Sequence, residues 1–266
     1  MDYYSKYLKY KSKYLELQKQ AGGKCGLLEN KNICELREAG FTQDFLTEKK
    51  GATDHNSRIN KIKVFTPEEI ENIKNLKIIG FDDKDAYKIA SDYTTKYVNN
   101  IIILKKAGFS HDNARYGRQL TDKEINNMIK LKTLKPEGFD DLYAIESVDF
   151  TNEQIENMIK LKNPPNNFDD HYAHKGAQLE DKQIKNMIKL KTNDIGDYHA
   201  YEGAHDLKEE KQIENMIKLK QARFDDFYAL LGAKSTDAQI NKMIELKNSG
   251  KTYKDAYYTT LKTITS

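Results

Sequence analysis

The sequence predicts an all-α fold: a solenoid of stacked helical hairpins, right- or left-handed, with a separate N-terminal amphipathic helix. Three observations predict it. The nonapeptide QIENMIKLK occurs at residues 154–162 and again at 212–220, with QIKNMIKLK beginning midway between them at Gln183. The aliphatic residue inside each block recurs at Ile70, Val98, Ile125, Ile155, Ile184, Ile213 and Ile240, at spacings of 28, 27, 30, 29, 29 and 27 residues. Apart from Met1, every methionine (Met128, Met158, Met187, Met216, Met243) falls at one repeat position. A unit this short cannot bury its apolar face alone; stacked on its neighbours, it can.

Three segments follow in order. Residues 1–23 place Tyr7, Leu8, Tyr14 and Leu15 at heptad spacing beside Lys6, Lys9 and Lys13, which predicts a basic amphipathic helix. It serves as a cap on the first hairpin or as an address, and Gly22-Gly23 offers a flexible joint for cleavage. Residues 24–65 read as a divergent capping hairpin and a loop. Ile33, Leu36, Gly40 and Phe41 match Ile73, Leu76, Gly80 and Phe81, whereas 46–65 fits no repeat and reads as a surface loop or short extra helix. Residues 66–266 form the regular array.

Within a unit of the array the first half is an amphipathic helix. Ile155, Met158, Ile159 and Leu161 share one broad arc, opposite Glu156 and Lys160. Its start is a capping box, Thr66 with Glu69, Thr121 with Glu124, Thr151 with Gln154 and Thr236 with Gln239. Pro67 sits at the first helical position, where its missing N–H is harmless. Its stop is Gly-Phe at 40–41, 80–81, 108–109 and 138–139, with the glycine left-handed and the phenylalanine folded back; Asn167 stands in for Gly before Phe168. The second half begins with Asp pairs at 82–83, 140–141, 169–170 and 225–226. Paired carboxylates suit metal or acid–base chemistry, but recurrence in every unit suits helix capping and the helix dipole. Tyr-Ala at 143–144, 172–173 and 228–229 faces the core, and Gly-Ala at 176–177, 203–204 and 232–233 permits close approach.

Composition narrows the function classes. The chain is 38% hydrophobic and 32% charged, which suits a shape with much surface per residue. Net charge is only +3, so composition does not argue for nucleic-acid binding. No apolar run approaches a membrane span, no secretory h-region is evident, and two cysteines, Cys25 and Cys34, make no disulfide framework. The expected setting is intracellular and reducing, not secreted.

The segment DYYSKYLKYKSKYLELQKQAGG resembles an N-terminal element of mimivirus-like giant DNA virus proteins, through Tyr7-Leu8-Lys9-Tyr10-Lys11, Lys13-Tyr14-Leu15, Leu17 and Gly22-Gly23. The resemblance implies a viral origin, hence host cytoplasm, viral factory or virion, and no activity. YAHKGA followed by an Ile/Leu helix resembles the two helices of an ankyrin repeat, with a period shorter than ankyrin's ~33 residues and no T-P-L-H signature.

No nucleophile elbow, P-loop, zinc-protease or Rossmann pattern occurs, and the reading is non-enzymatic, with no cofactor and no catalytic residue. His171 and His174, with His199, Glu202 and His205 on the next helix, are metal-ligand types, but His and Tyr exchange at aligned positions, so they are assigned to packing and no metal is expected. Candidate partner-binding residues lie on the first helices: Lys130, Lys160, Lys189 and Lys218 in one row, and Asn127, Asn157, Asn186 and Asn215 in another. A further lysine row, Lys132, Lys162, Lys191, Lys220 and Lys247, lies near the helix ends. The leading function is a scaffold binding another protein along an extended face. The alternatives are a polyanion or nucleic-acid binder using the lysine rows, and a structural component of a virion.

Overall fold

The computed structural model describes residues 31–46 and 65–262, and they are all-α. The N-terminal segment 1–23 and most of 46–65 lie outside the described residues. After α1 (Lys31–Glu38) and a helical stretch at 43–46, fourteen further helices pair into seven hairpins. These are α2 (Pro67–Ile78) with α3 (Asp83–Asp92), α4 (Thr95–Lys106) with α5 (His111–Tyr116), and α6 (Asp122–Lys132) with α7 (Asp141–Glu146). Then come α8 (Asn152–Lys162) with α9 (Asp170–Gly176), α10 (Asp181–Lys191) with α11 (Asp197–Asp206), α12 (Glu210–Gln221) with α13 (Asp226–Gly232), and α14 (Asp237–Asn248) with α15 (Tyr253–Lys262). A 3₁₀ turn, Gly117–Gln119, follows α5.

The chain divides into two compact units, Met1–Ile125 and Asn126–Ser266. In the first, α1 packs on α2 and α2 on α4. In the second, first helices pack on first helices (α10 on α12, α12 on α14) and second helices on second helices (α7, α9, α11, α13 and α15 in turn). Each unit is thus a stack of hairpins.

The recurring apolar positions make the core. Ile155, Met158 and Leu161 are buried, as are Ile184, Met187 and Leu190, and Ile213, Met216 and Leu219. Each such side chain contributes about 1.5–3 kcal/mol relative to exposure. Ile159 differs from its expected place: it is only half-buried, as are Ile129 and Ile188. At about 100° per residue it lies beyond Ile155 on the edge of the buried arc. The glycine row supplies the close approach. A Cβ on Gly176 would stand 2.7 Å from Met187 Sδ of the next hairpin and 2.8 Å from Leu161 of its own.

Capping follows the expected chemistry. The boxes at Thr66, Thr121, Thr151 and Thr236 all form. Gly40, Gly80 and Gly108 take φ of 89°, 95° and 98°, and Phe41, Phe81 and Phe109 donate their N–H back to Leu36, Leu76 and Leu104. Asn167 takes φ 49°. Gly138 is the exception: it is absent from the left-handed set, and a Cβ there would lie 1.8 Å from the Lys132 carbonyl oxygen. The loop it ends is longer, so glycine is needed there for clearance and not for handedness. Cys34, in α1, is disulfide-bonded.

Candidate partner-binding site

The Asp pairs divide their work between two jobs. The first Asp is the N-cap: Asp82, Asp169 and Asp225 accept from the N–H groups of Asp85, Tyr172 and Tyr228. Asp140 stands at the same place without a side-chain cap bond. The second Asp fastens one hairpin to the one before it. Asp170 accepts from the backbone N–H of Asp140 at 2.8 Å and pairs with Lys162. Asp197 accepts from Asp169 N–H at 2.9 Å and pairs with Lys191, and Asp226 accepts from Gly196 N–H at 2.8 Å and pairs with Lys220 at 2.5 Å. In the first unit Asp83 does the same with Thr42 and Lys77. The lysine also sits over a phenylalanine of the preceding hairpin: Lys162 over Phe139 at 5.0 Å, Lys191 over Phe168 at 5.4 Å and Lys77 over Phe41 at 5.6 Å.

These carboxyls titrate accordingly. Burial pushes Asp83 and Asp226 up, but the hydrogen bonds and charges of Lys77 with Thr42, and of Lys220 with Gly196, outweigh it and hold both below the usual aspartate value. The lysine row at the helix ends is therefore largely spent on structure.

Three lysines of the solvent-side row are bonded across hairpins. Lys130 bonds Glu156, Lys189 reaches Glu210 at 2.5 Å, and Lys218 donates to Asn241 at 2.8 Å. Glu156 and Glu214 share a repeat position, and Lys185 occupies it between them. That substitution is the one difference between QIENMIKLK and QIKNMIKLK, and it puts a lysine in the hairpin after Lys160 at the repeat position where Glu156 bonds Lys130.

The asparagine row tethers the exit of the second helix. Asn127 Nδ2 donates to Phe150 O at 3.3 Å, and Asn215 Nδ2 to Ala233 O at 3.1 Å and Ser235 O at 3.2 Å. Asn100 does this in the first unit with the carbonyls of Gly117, Arg118 and Leu120. Asn186 is buried beside a small cleft of about 310 Å³, and Asn157 is half-buried beside one of about 400 Å³.

The larger apolar exposure of the second unit is on its second helices. Leu142, His171, Tyr198 and Phe227 share one repeat position, and Leu142, Tyr198 and Phe227 are 56%, 52% and 52% exposed. Behind them Tyr143, Tyr172, His199 and Tyr228 form a second row, edge-on to the first: Tyr172 lies 6.3 Å from Tyr198, and Tyr228 lies 5.2 Å from Phe227. Burial and nearby carboxylates push the Tyr143 and Tyr172 phenols up, so both remain protonated. His174 is stacked on Phe150 at 5.0 Å with Nε2 buried and unbonded, and burial pushes its imidazole down.

A cleft of about 650 Å³ opens at one end of these rows, between residues 133–140 and 163–169. The path from the last core leucine to the returning apolar residue is eight positions for Leu131 to Phe139 and seven for Leu161 to Phe168. It is five for Leu190 to Ile195 and for Leu219 to Phe224. The inserted residues carry cis Pro136 and cis Pro165. Tyr143, His171 and carboxylates of both loops line the cleft. The longest repeat spacing, 30 residues, spans the first of these insertions, but 29 residues separate both Ile155 from Ile184 and Ile184 from Ile213, so spacing did not mark the second; nor was the exposure of the Leu142 row readable, because His and Tyr there read as core-facing. Among the described residues no group of three His, Cys, Asp or Glu side chains is placed to hold a metal ion, and no helix is long and apolar enough to cross a membrane.

No protein-family model matches the chain, and no curated protein matches it.

Proposed function

We propose that the chain is a non-enzymatic repeat scaffold that binds another protein, and that it does so along the second helices of its C-terminal unit. The observation that carries this reading is the row Leu142, His171, Tyr198 and Phe227 on the stacked helices α7, α9, α11 and α13, with Leu142, Tyr198 and Phe227 exposed and His171 half-buried. Large aromatic and aliphatic side chains in a contiguous exposed row are typical of interaction surfaces, and stacked repeats present such rows along their length. Pairing of the lysine rows with Glu156, Glu210, Asp170, Asp197 and Asp226 leaves less free positive charge for a polyanion than the sequence offers. The resemblance of residues 1–23 adds a giant-DNA-virus origin to the same reading.

The test is capture of partners from producing cells by the intact chain and by two variants. Tyr198→Ala with Phe227→Ala should lose the specific partner. Replacing Lys130, Lys160, Lys189 and Lys218 by Glu should keep it. The reverse outcome, with retention of DNA or RNA at low salt by the intact chain, would establish the polyanion reading instead.

A further inference from the structure

We infer that the partner enters this face as an extended basic segment, with apolar residues on the Leu142–Phe227 row and lysine or arginine side chains in the cleft beside it. The inference rests on the scaffold reading and adds the partner's chemistry.

Charge complementarity sets the sign. Five carboxylates line the cleft. Two are neutralised within the fold, Asp170 by Lys162 and Asp197 by Lys191. Glu137, Asp140 and Asp169 have no ion pair with a basic side chain among the described residues. Asp169 uses one oxygen on the Tyr172 N–H and leaves the other open, and Asp140 departs from its repeat partners in making no cap bond at all. Lys162, the one lysine or arginine in the lining, is committed to Asp170. The cleft therefore presents negative charge beside the aromatic faces of Tyr143 and His171, an environment that attracts ammonium or guanidinium groups and repels phosphate.

Geometry sets the form of the ligand. Leu142, His171, Tyr198 and Phe227 stand one per hairpin on packed helices, and packed helices are about 8–10 Å apart. An extended chain advances about 3.3 Å per residue, so it meets one row position about every third residue. A helix, at about 1.5 Å per residue, would need about five to seven. Basic residues between the apolar ones then lie along the carboxylate border.

The experiment measures fluorescence anisotropy with the full chain and three labelled peptides: four repeats of Leu-Lys-Ser, four of Leu-Glu-Ser, and an isomer of the first with its leucines moved together. The Lys peptide should bind saturably and lose affinity as salt rises, the Glu peptide should not bind, and the isomer should bind more weakly. Glu137→Gln with Asp140→Asn should weaken the Lys peptide about tenfold. Asn is itself an N-cap residue, so α7 keeps its start, and a thermal melt checks this. Glu153→Gln with Asp181→Asn removes the same charge from the first-helix side and should leave affinity unchanged. Equal weakening by both pairs, equal binding of the Glu peptide, or no binding of the Lys peptide would overturn the inference. If cell-derived partners are lost with Tyr198→Ala and Phe227→Ala but retained by Glu137→Gln with Asp140→Asn, the scaffold reading stands and the basic-segment inference falls.

Discussion

Asp226 touches three partners at once: the N–H of Gly196 on the preceding hairpin, the ammonium of Lys220 on its own, and His199 at 3.9 Å. Replacing it by Asn keeps the shape but removes the charge-assisted bonds, and a loss of about 1–2 kcal/mol in urea unfolding is expected. Lys160→Asp, on an exposed side chain, should stay within about 0.5 kcal/mol of the parent. The pH dependence has a definite sign. Asp83 and Asp226 have folded values below the ordinary 3.8, so their contribution is present above that pH and is lost as pH falls through the folded values. His174 acts at higher pH. Its folded value lies below 6.5, so the unfolded chain takes up the proton first and stability declines as pH falls below about 6.5. Melting temperatures between pH 7.5 and 5 should show this slope, and His174→Phe, which keeps a ring against Phe150, should flatten it. Glu146 and His171 act on the same imidazole, with opposite signs, and remain in that variant.

At the scale of the helix and its turns, capping was legible because its chemistry is local: Thr151 and Gln154 are three residues apart, and their bonds need nothing else. The fastening role of Asp170 was not, because the N–H it accepts belongs to Asp140, thirty residues earlier and in another hairpin. The same limit applies to the binding face. Leu142 and Tyr198 sit one position before residues that are half-buried, and only the stack decides which of two adjacent aromatics is covered. Ile159 was misplaced by a subtler cause, since a four-residue arc read from one helix overstates the stripe that a neighbour covers. Met187 lies inside that stripe with no exposed surface. Met187→Asp buries a charge without a partner and should abolish cooperative unfolding, whereas Ile159→Asp should cost clearly less. Gly138→Ala tests the inserted loop. Its Cβ would overlap the Lys132 carbonyl, a backbone atom that cannot rotate away, so a loss of about 2 kcal/mol or more is expected.

For the molecule as a whole, stability should be distributed hairpin by hairpin. In the C-terminal unit each hairpin packs on its sequence neighbours, so α10 with α11 and α12 with α13 are held from two sides, whereas among the described residues α14 with α15 is held by α12 and α13. The leucine that ends the buried stripe registers this: Leu161, Leu190 and Leu219 have no exposed surface, whereas Leu246 in α14 is half-buried. Asp226 fastens α13 to the hairpin before it, but α15 begins with Tyr253 at the aligned position and has no carboxylate there to fasten it to α13. Native-state hydrogen exchange on the full chain should therefore show protection highest in α8, α10 and α12 and lowest in α14 and α15. The difference should reach a few kcal/mol. Introducing Tyr253→Asp, in register with Asp226 and with Lys247 available as its partner, should raise protection in α15 toward that of α13. Uniform protection across the unit, unmoved by that change, would mean that it unfolds as one block and that its repeats carry no separable stability.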